Sequence, residues 1–142
     1  MAIKKQEFYE GAALHILARG GQIRGIRFAA PFVVLNDQLQ VFLKYSTRGR
    51  SPWGFTFTPA EQLKLSKTGT AAATVIGLIC GSDGVAALSY ELYQTIAHPR
   101  ESAIHVACYR AHGQHYEVKG PDGTLNAKIA PSRWYKLLEE QQ

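Results

Sequence analysis

Thr58-Pro59-Ala60-Glu61 is the short stretch that most narrows what this chain can fold into. A threonine ahead of proline at the first helical position, with glutamate three residues on, satisfies the free amides of a helix start. The helix is expected to run to about Thr68, with Gly69 beyond it. It stands between two strand-like runs, GFTFT before and TVIGLICG after. A sheet interrupted in this way belongs to an α/β or α+β domain, with one mixed central sheet flanked by helices.

The rest of the chain extends that order. In QEFYEGAALHILARGG the apolar positions 8, 12, 13, 16 and 17 share one helical face, and Gly20 and Gly21 supply a stop. QIRGIRFA alternates, broken at Gly25, and PFVVL and QLQVFLKYS form a hairpin around Asn36 and Asp37. GFTFT is expected to continue the same sheet, and TVIGLICG, an apolar run, to lie at its centre. Ser82-Asp83-Gly84 turns into VAALS, and Ser89 caps a short helix, YELYQTIA. AIHVACYR and HYEVKG are strands, Pro121-Asp122-Gly123 is a turn, LNAKIA is expected as a last strand, and PSRWYKLLEE closes as a helix.

At 142 residues the expectation is one domain, spanning 1–142, with a core large enough to stand without disulfide or metal. No apolar run is long enough to span a membrane, and MAIKKQEFYEG lacks the features of a signal peptide, so a cytoplasmic protein is expected. Cys80 and Cys108 lie inside apolar runs and are expected as buried free thiols, though a disulfide between them is open. The net charge of +5 is uneven. Residues 1–70 hold ten Lys/Arg against four acids, and residues 71–142 hold six against seven. All the excess positive charge is thus in the first half, which favours a polyanionic partner such as DNA or RNA.

The order of elements, with particular residues in it, resembles the PD-(D/E)XK nuclease superfamily, the restriction-endonuclease-like fold. The residues that carry the resemblance are Glu10 on the first helix, Lys44 near the end of the second hairpin strand in VFLKYS, and WGFTF after the loop; together they cover roughly residues 6–68. The resemblance implies a Mg²⁺ ion held by two carboxylates, with a lysine on the same strand face to help activate water. The pattern departs at two points. Phe42 stands two residues before Lys44, where the family has an acid or glutamine, and PFVVL has no acid at all. The nearest is Asp37, seven residues before Lys44, at the hairpin turn. Glu10, Asp37 and Lys44 are the only catalytic candidates. Metal-dependent cleavage is expected to be lost, with Mg²⁺ bound only if a partner chain completes the site.

The stretch STRGRSPW holds the better binding candidates. Arg48 and Arg50 offer forked donors to phosphate, Tyr45 and Trp53 offer rings for stacking, and Lys44, Arg24 and Arg27 add charge. Each has a plain alternative: Trp53 in the core, Lys44 flanking a hairpin with its charge in water, Glu10 as a solvated helix residue. His112 and His115 are spaced for a metal or for an ordinary turn about Gly113, and the turn is favoured because no cysteine or carboxylate completes a set. His15 and His105 read as packing residues. No phosphate-binding glycine loop, HExxH or nucleophile elbow occurs. The expected function is nucleic-acid binding through the basic half on a degenerate nuclease fold. The alternatives are a homo-oligomeric or protein-interaction module, supported by the apolar VIGLICG and IHVACYR, and a metal-dependent nuclease with a rearranged site.

Overall fold

The computed structural model describes residues 2–68 and 73–139. Gly69 and Glu140, at the ends of two expected helices, lie outside the described residues. The chain is an α+β protein with two sheets rather than the single sheet expected. In chain order the elements are α1 (Lys5–Arg19), β1 (Ile26–Ala29), β2 (Phe32–Leu35), β3 (Leu39–Ser46), β4 (Trp53–Phe57), α2 (Pro59–Thr68), β5 (Thr74–Cys80), β6 (Gly84–Ser89), α3 (Tyr90–Ile96), β7 (Ile104–Tyr109), β8 (Glu117–Gly120), β9 (Gly123–Thr124) and α4 (Ser132–Tyr135).

The mixed sheet has the order β1-β2-β3-β5-β6, and the second, antiparallel sheet has the order β4-β7-β8-β9. In the mixed sheet only β3 and β5 are parallel, in register from Gln40 opposite Thr74 to Ser46 opposite Cys80. The separation of β4 has a visible cause. Its Trp53, Phe55 and Phe57 are buried while Gly54 and Thr56 are exposed, so it has one apolar face. All seven residues of β5 are buried. A strand apolar on both faces must be covered on both, and it takes the place beside β3; the one-faced β4 goes to an outer layer.

Three layers result. One face of the mixed sheet (Val33, Leu35, Val41, Leu43, Ile79, Ala87) is covered by α1 and by Trp134, Leu137 and Leu138. The other face (Phe32, Phe42, Ile76, Leu78, Cys80, Leu88) packs on the second sheet and α3. The inward stripe of α1 is Tyr9, Ala13, Ile16 and Leu17, while Phe8, on the expected face, is 63% exposed. The shift follows Tyr9, whose ring stacks on Tyr45 of β3 with centroids 5.1 Å apart.

Asn36 and Asp37 both have positive φ (53° and 52°) in the three-residue connection between the paired Leu35 and Leu39, a conformation these two residue types tolerate best after glycine. The Asn36 side chain also pins the incoming loop, accepting from the Arg24 and Gly25 amides and donating to the Gln22 carbonyl. The strand expected at LNAKIA does not form. That segment is attached by the Leu125 amide on the Val118 carbonyl and by reciprocal 2.8 Å bonds between Ile129 and Tyr116. The closing helix is one α-turn followed by tighter turns, with Leu137 bonded back to Trp134 and Glu139 to Lys136. No helix among the described residues is long and apolar enough to cross a membrane.

Candidate nucleic-acid interface

Alternation along β3 sets where each of its side chains goes. Val41, Leu43 and Tyr45 face α1, so Phe42 and Lys44 face the other way, toward β4 and α2. Phe42 is 2% exposed, wedged between Phe32 and Phe57. The Lys44 ammonium donates to both Glu61 carboxylate oxygens, at 3.0 and 2.9 Å, and lies 5.4 Å from the Phe57 ring centroid. Glu61 at the same time accepts from the Thr58 amide, completing the capping box. The charge of Lys44 is therefore neutralised within the molecule. The sequence announced Glu61 as a cap; only the parallel return of β5 beside β3 makes it a partner for the lysine as well.

The three catalytic candidates are not brought together. Glu10 is on α1, across the sheet from Lys44, and accepts from Gln6 at 2.6 Å. Asp37 sits at the turn where β3 begins, 87% exposed and 3.7 Å from Arg27. Lys44 is near the other end of that strand. Among the described residues no group of three or more His, Cys, Asp or Glu could hold a metal ion. His112 and His115 flank a turn in which Gln114 donates to the Ala111 carbonyl, with Gly113 at φ 75°.

The binding candidates divide into two groups. Arg24 and Arg27 lie by the start of β3, since Ile26 pairs with Leu35 and Leu35 with Leu39. Arg48 and Arg50 lie beyond its end. The eight residues of β3 put about 25 Å between the groups at roughly 3.3 Å per residue. Tyr45 is held against Tyr9. Trp53 is 2% exposed, with its indole N–H on the Arg48 carbonyl and its ring against Tyr116, so it has no free face to stack on a base.

Trp53 instead braces the loop that presents the arginines. The loop is held from three sides: Trp53 Nε1 to the Arg48 carbonyl at 3.0 Å, the Gly81 amide to the Ser46 carbonyl at 2.9 Å, and the Arg110 amide to Ser51 Oγ at 3.0 Å. Arg48 and Arg50 are exposed, and among the described residues their side chains meet no ion-pair or hydrogen-bond partner. They stand just outside the carboxyl ends of the parallel pair β3 and β5.

Beside them is a cluster with no sequence signal, because its members are 27 and 33 residues apart. Asp83 accepts from the Tyr116 hydroxyl at 2.6 Å and from Arg110 Nη1 at 2.8 Å, and the Arg110 guanidinium lies 5.3 Å from the Tyr116 ring centroid. Burial pulls the Asp83 carboxyl up, but the Tyr116 hydroxyl and Arg110 outweigh it and hold the group below its ordinary value. Burial and the bond to Asp83 push the Tyr116 hydroxyl well above the usual phenol range. Behind this cluster Cys80 and Cys108 are free, buried thiols. The Cys108 thiol beside it, then burial, push Cys80 far above the usual thiol range.

A folded-state carboxyl held low adds stability above its unfolded value, near pH 4, and loses it as pH falls through the folded value. Wild type is therefore expected to lose up to about 1 kcal/mol more below roughly pH 4 than Asp83→Asn does, the effect being limited by solvent screening. Urea unfolding of both proteins across that window checks it. The comparison separates Asp83 from Asp122, which the His98 amide and Arg100 also hold low. Parallel pH curves would mean that the cluster contributes no charge coupling.

Compared with protein-family models, with curated proteins and with solved structures, the chain matches none.

Proposed function

We propose that this chain is a nucleic-acid-binding domain on a nuclease-like sheet, and that Arg48 and Arg50 make its phosphate contacts. The observation that carries the reading is the pair of unpartnered arginines on a braced loop outside the carboxyl ends of β3 and β5. Exposed guanidinium groups on a rigid support suit a phosphate backbone, since little order is lost on contact. The order helix, antiparallel β1-β2-β3, helix, parallel β5 supports the likeness to the PD-(D/E)XK superfamily. Phe42 in the core, Lys44 tied to Glu61 and Glu10 across the sheet support a loss of cleavage. Arg24 and Arg27 belong to a separate patch and serve this contact only if the nucleic acid is long enough to reach them.

Arg48→Ala with Arg50→Ala is expected to weaken DNA or RNA binding about tenfold and to lower the salt slope by about two, one released counterion per lost phosphate contact. Lys44→Ala is expected to leave both nearly unchanged. Mobility shift and salt titration, with Mg²⁺ present to report any nicking, read all of this. Unchanged affinity and slope in the arginine variant would overturn the reading.

A second reading, self-assembly, rests on a different surface from the one expected. VIGLIC and IHVACY lie in strands interior to their sheets. Two of the exposed apolar residues, Phe28 (71%) and Ile26 (41%), lie instead together on the outer strand β1. A fixed, salt-independent oligomer with no shift of nucleic acid would place this reading first.

A further inference from the structure

The acidic-leaning second half of the chain, which carries no motif, contains a basic groove of about 410 Å³. It runs along β6, the outer strand of the mixed sheet, between the start of α3 and the segment that leads into α4. Its floor is apolar: Ala87, Leu92, Ala127, Ile129 and Ala130. Three alanines reach no further than Cβ, and this is why the space stays open. Its rim is His115, Lys128, Ser132, Arg133 and Lys136, and no acidic residue lines it among the described residues.

The walls are fixed rather than draped. The Tyr116–Ile129 pair holds the segment to β8, the Arg133 amide caps the turn on the Ala130 carbonyl, and Trp134 anchors α4 by donating to the Ala13 carbonyl. Lys128 and Lys136 meet no ion-pair partner among the described residues. Two lysine ammonium groups on one groove repel one another, so an anion bound between Lys128 and Lys136 gains by relieving that repulsion. The apolar floor adds that the anion carries a flat, apolar body, and the volume lies within the range that takes small ligands, roughly 300–1,000 Å³.

We infer that this groove, between β6 and the segment Ala127–Lys136, binds a nucleotide: a phosphate ester held by Lys128 and Lys136, with its base on the alanine floor. The nucleotide has two sources, a free nucleoside phosphate or the end of a strand. The second source rests on the nucleic-acid reading above. It is favoured by continuity, since Arg110 donates to the Gln114 carbonyl beside His115, while its amide reaches Ser51 in the arginine loop.

The test is a titration of the ¹⁵N-labelled full chain with AMP, adenosine, inorganic phosphate and a 5′-phosphorylated oligothymidine, followed by amide shifts. AMP is expected to move the amides of residues 127–130, Ser132, Arg133 and His115 saturably, with adenosine and inorganic phosphate much weaker. Lys128→Ala with Lys136→Ala is expected to weaken AMP about tenfold, the effect of losing roughly 1.4 kcal/mol. Both lysines are exposed, so unchanged distant amides verify folding. Arg48→Ala with Arg50→Ala leaves AMP binding intact, so failure of the arginine loop and failure of the groove are read separately. Oligothymidine that moves the same amides, and loses affinity in the arginine variant, assigns the strand as the source; AMP alone assigns the free nucleotide. No saturable shift with either, an equal response to adenosine or phosphate, or no change in the lysine variant would overturn the inference.

Discussion

Trp134→Ala is expected to lower the stability of the protein by about 3–5 kcal/mol, the range for removing a buried aromatic from a packed core. Trp134 is 1% exposed and forms the main plug on the helical side of the mixed sheet. Its indole N–H donates to the Ala13 carbonyl at 2.9 Å, tying α4 to α1. Its ring lies over β5 at Gly77, where an added Cβ would sit 3.2 Å from the indole and 2.9 Å from Leu43. Glycine is required there because the ring takes the space of a side chain. Truncation removes the ring area, leaves a cavity against β5, and releases the last turn, whose Leu137 and Leu138 complete the same cluster. A loss of this size is a large part of a stability that for a domain totals roughly 5–15 kcal/mol. The denaturant midpoint should fall with little change in m, and Trp134→Phe should recover part of the loss. A change below about 1 kcal/mol would mean that α4 is not needed to close the sheet.

Most elements were legible in the chain, the strand expected at LNAKIA excepted; their partners were legible only where short-range chemistry decides them. Asn36-Asp37 and Thr58-Pro59-Ala60-Glu61 formed the turn and cap that their residue types require. The two sheets were partly written in the burial pattern, since GFTF alternates and TVIGLIC does not. Read as a difference between one apolar face and two, that contrast would have separated β4 from the central sheet. The inward stripe of α1 turned on Tyr9 finding Tyr45, a long-range choice.

The candidate site shows the same division. Arg48 and Arg50 stood out as a basic loop and are exposed in the fold. Period-two alternation told that Phe42 and Lys44 share a face, but not that α1 with Glu10 covers the opposite one. Glu61 was visible as a cap and invisible as the partner of Lys44. Asp83, Arg110 and Tyr116 are joined across two sheets, and nothing local in the chain marks such a group. The groove at β6 was hidden because its cations are scattered through a half of the chain whose sum is slightly acidic.

Gly81→Ala is expected to destabilise the protein by about 2–4 kcal/mol and to weaken the proposed binding without removing any charge. Gly81 follows β5 with φ 54°, a left-handed conformation that costs an ordinary residue roughly 1–2 kcal/mol. An added Cβ would also collide with the Arg48 carbonyl oxygen and lie 3.3 Å from Trp53 Nε1. The obstacle is backbone, which cannot swing aside as a side chain does. The loop from Thr47 to Pro52 would have to retreat, and the Trp53–Arg48 bond would break with it. The variant is thus expected to lose both unfolding midpoint and nucleic-acid affinity, with both arginines still present. Gly81→Asn separates the two causes. Asparagine tolerates the left-handed conformation far better than alanine, but its Cβ meets the same carbonyl. Asparagine restoring only part of the stability and none of the affinity would show that the close approach of Gly81 to the loop positions Arg48 and Arg50. Wild-type affinity in both variants would mean that the loop binds without its brace, and the rigidity argument for the arginine pair would fall.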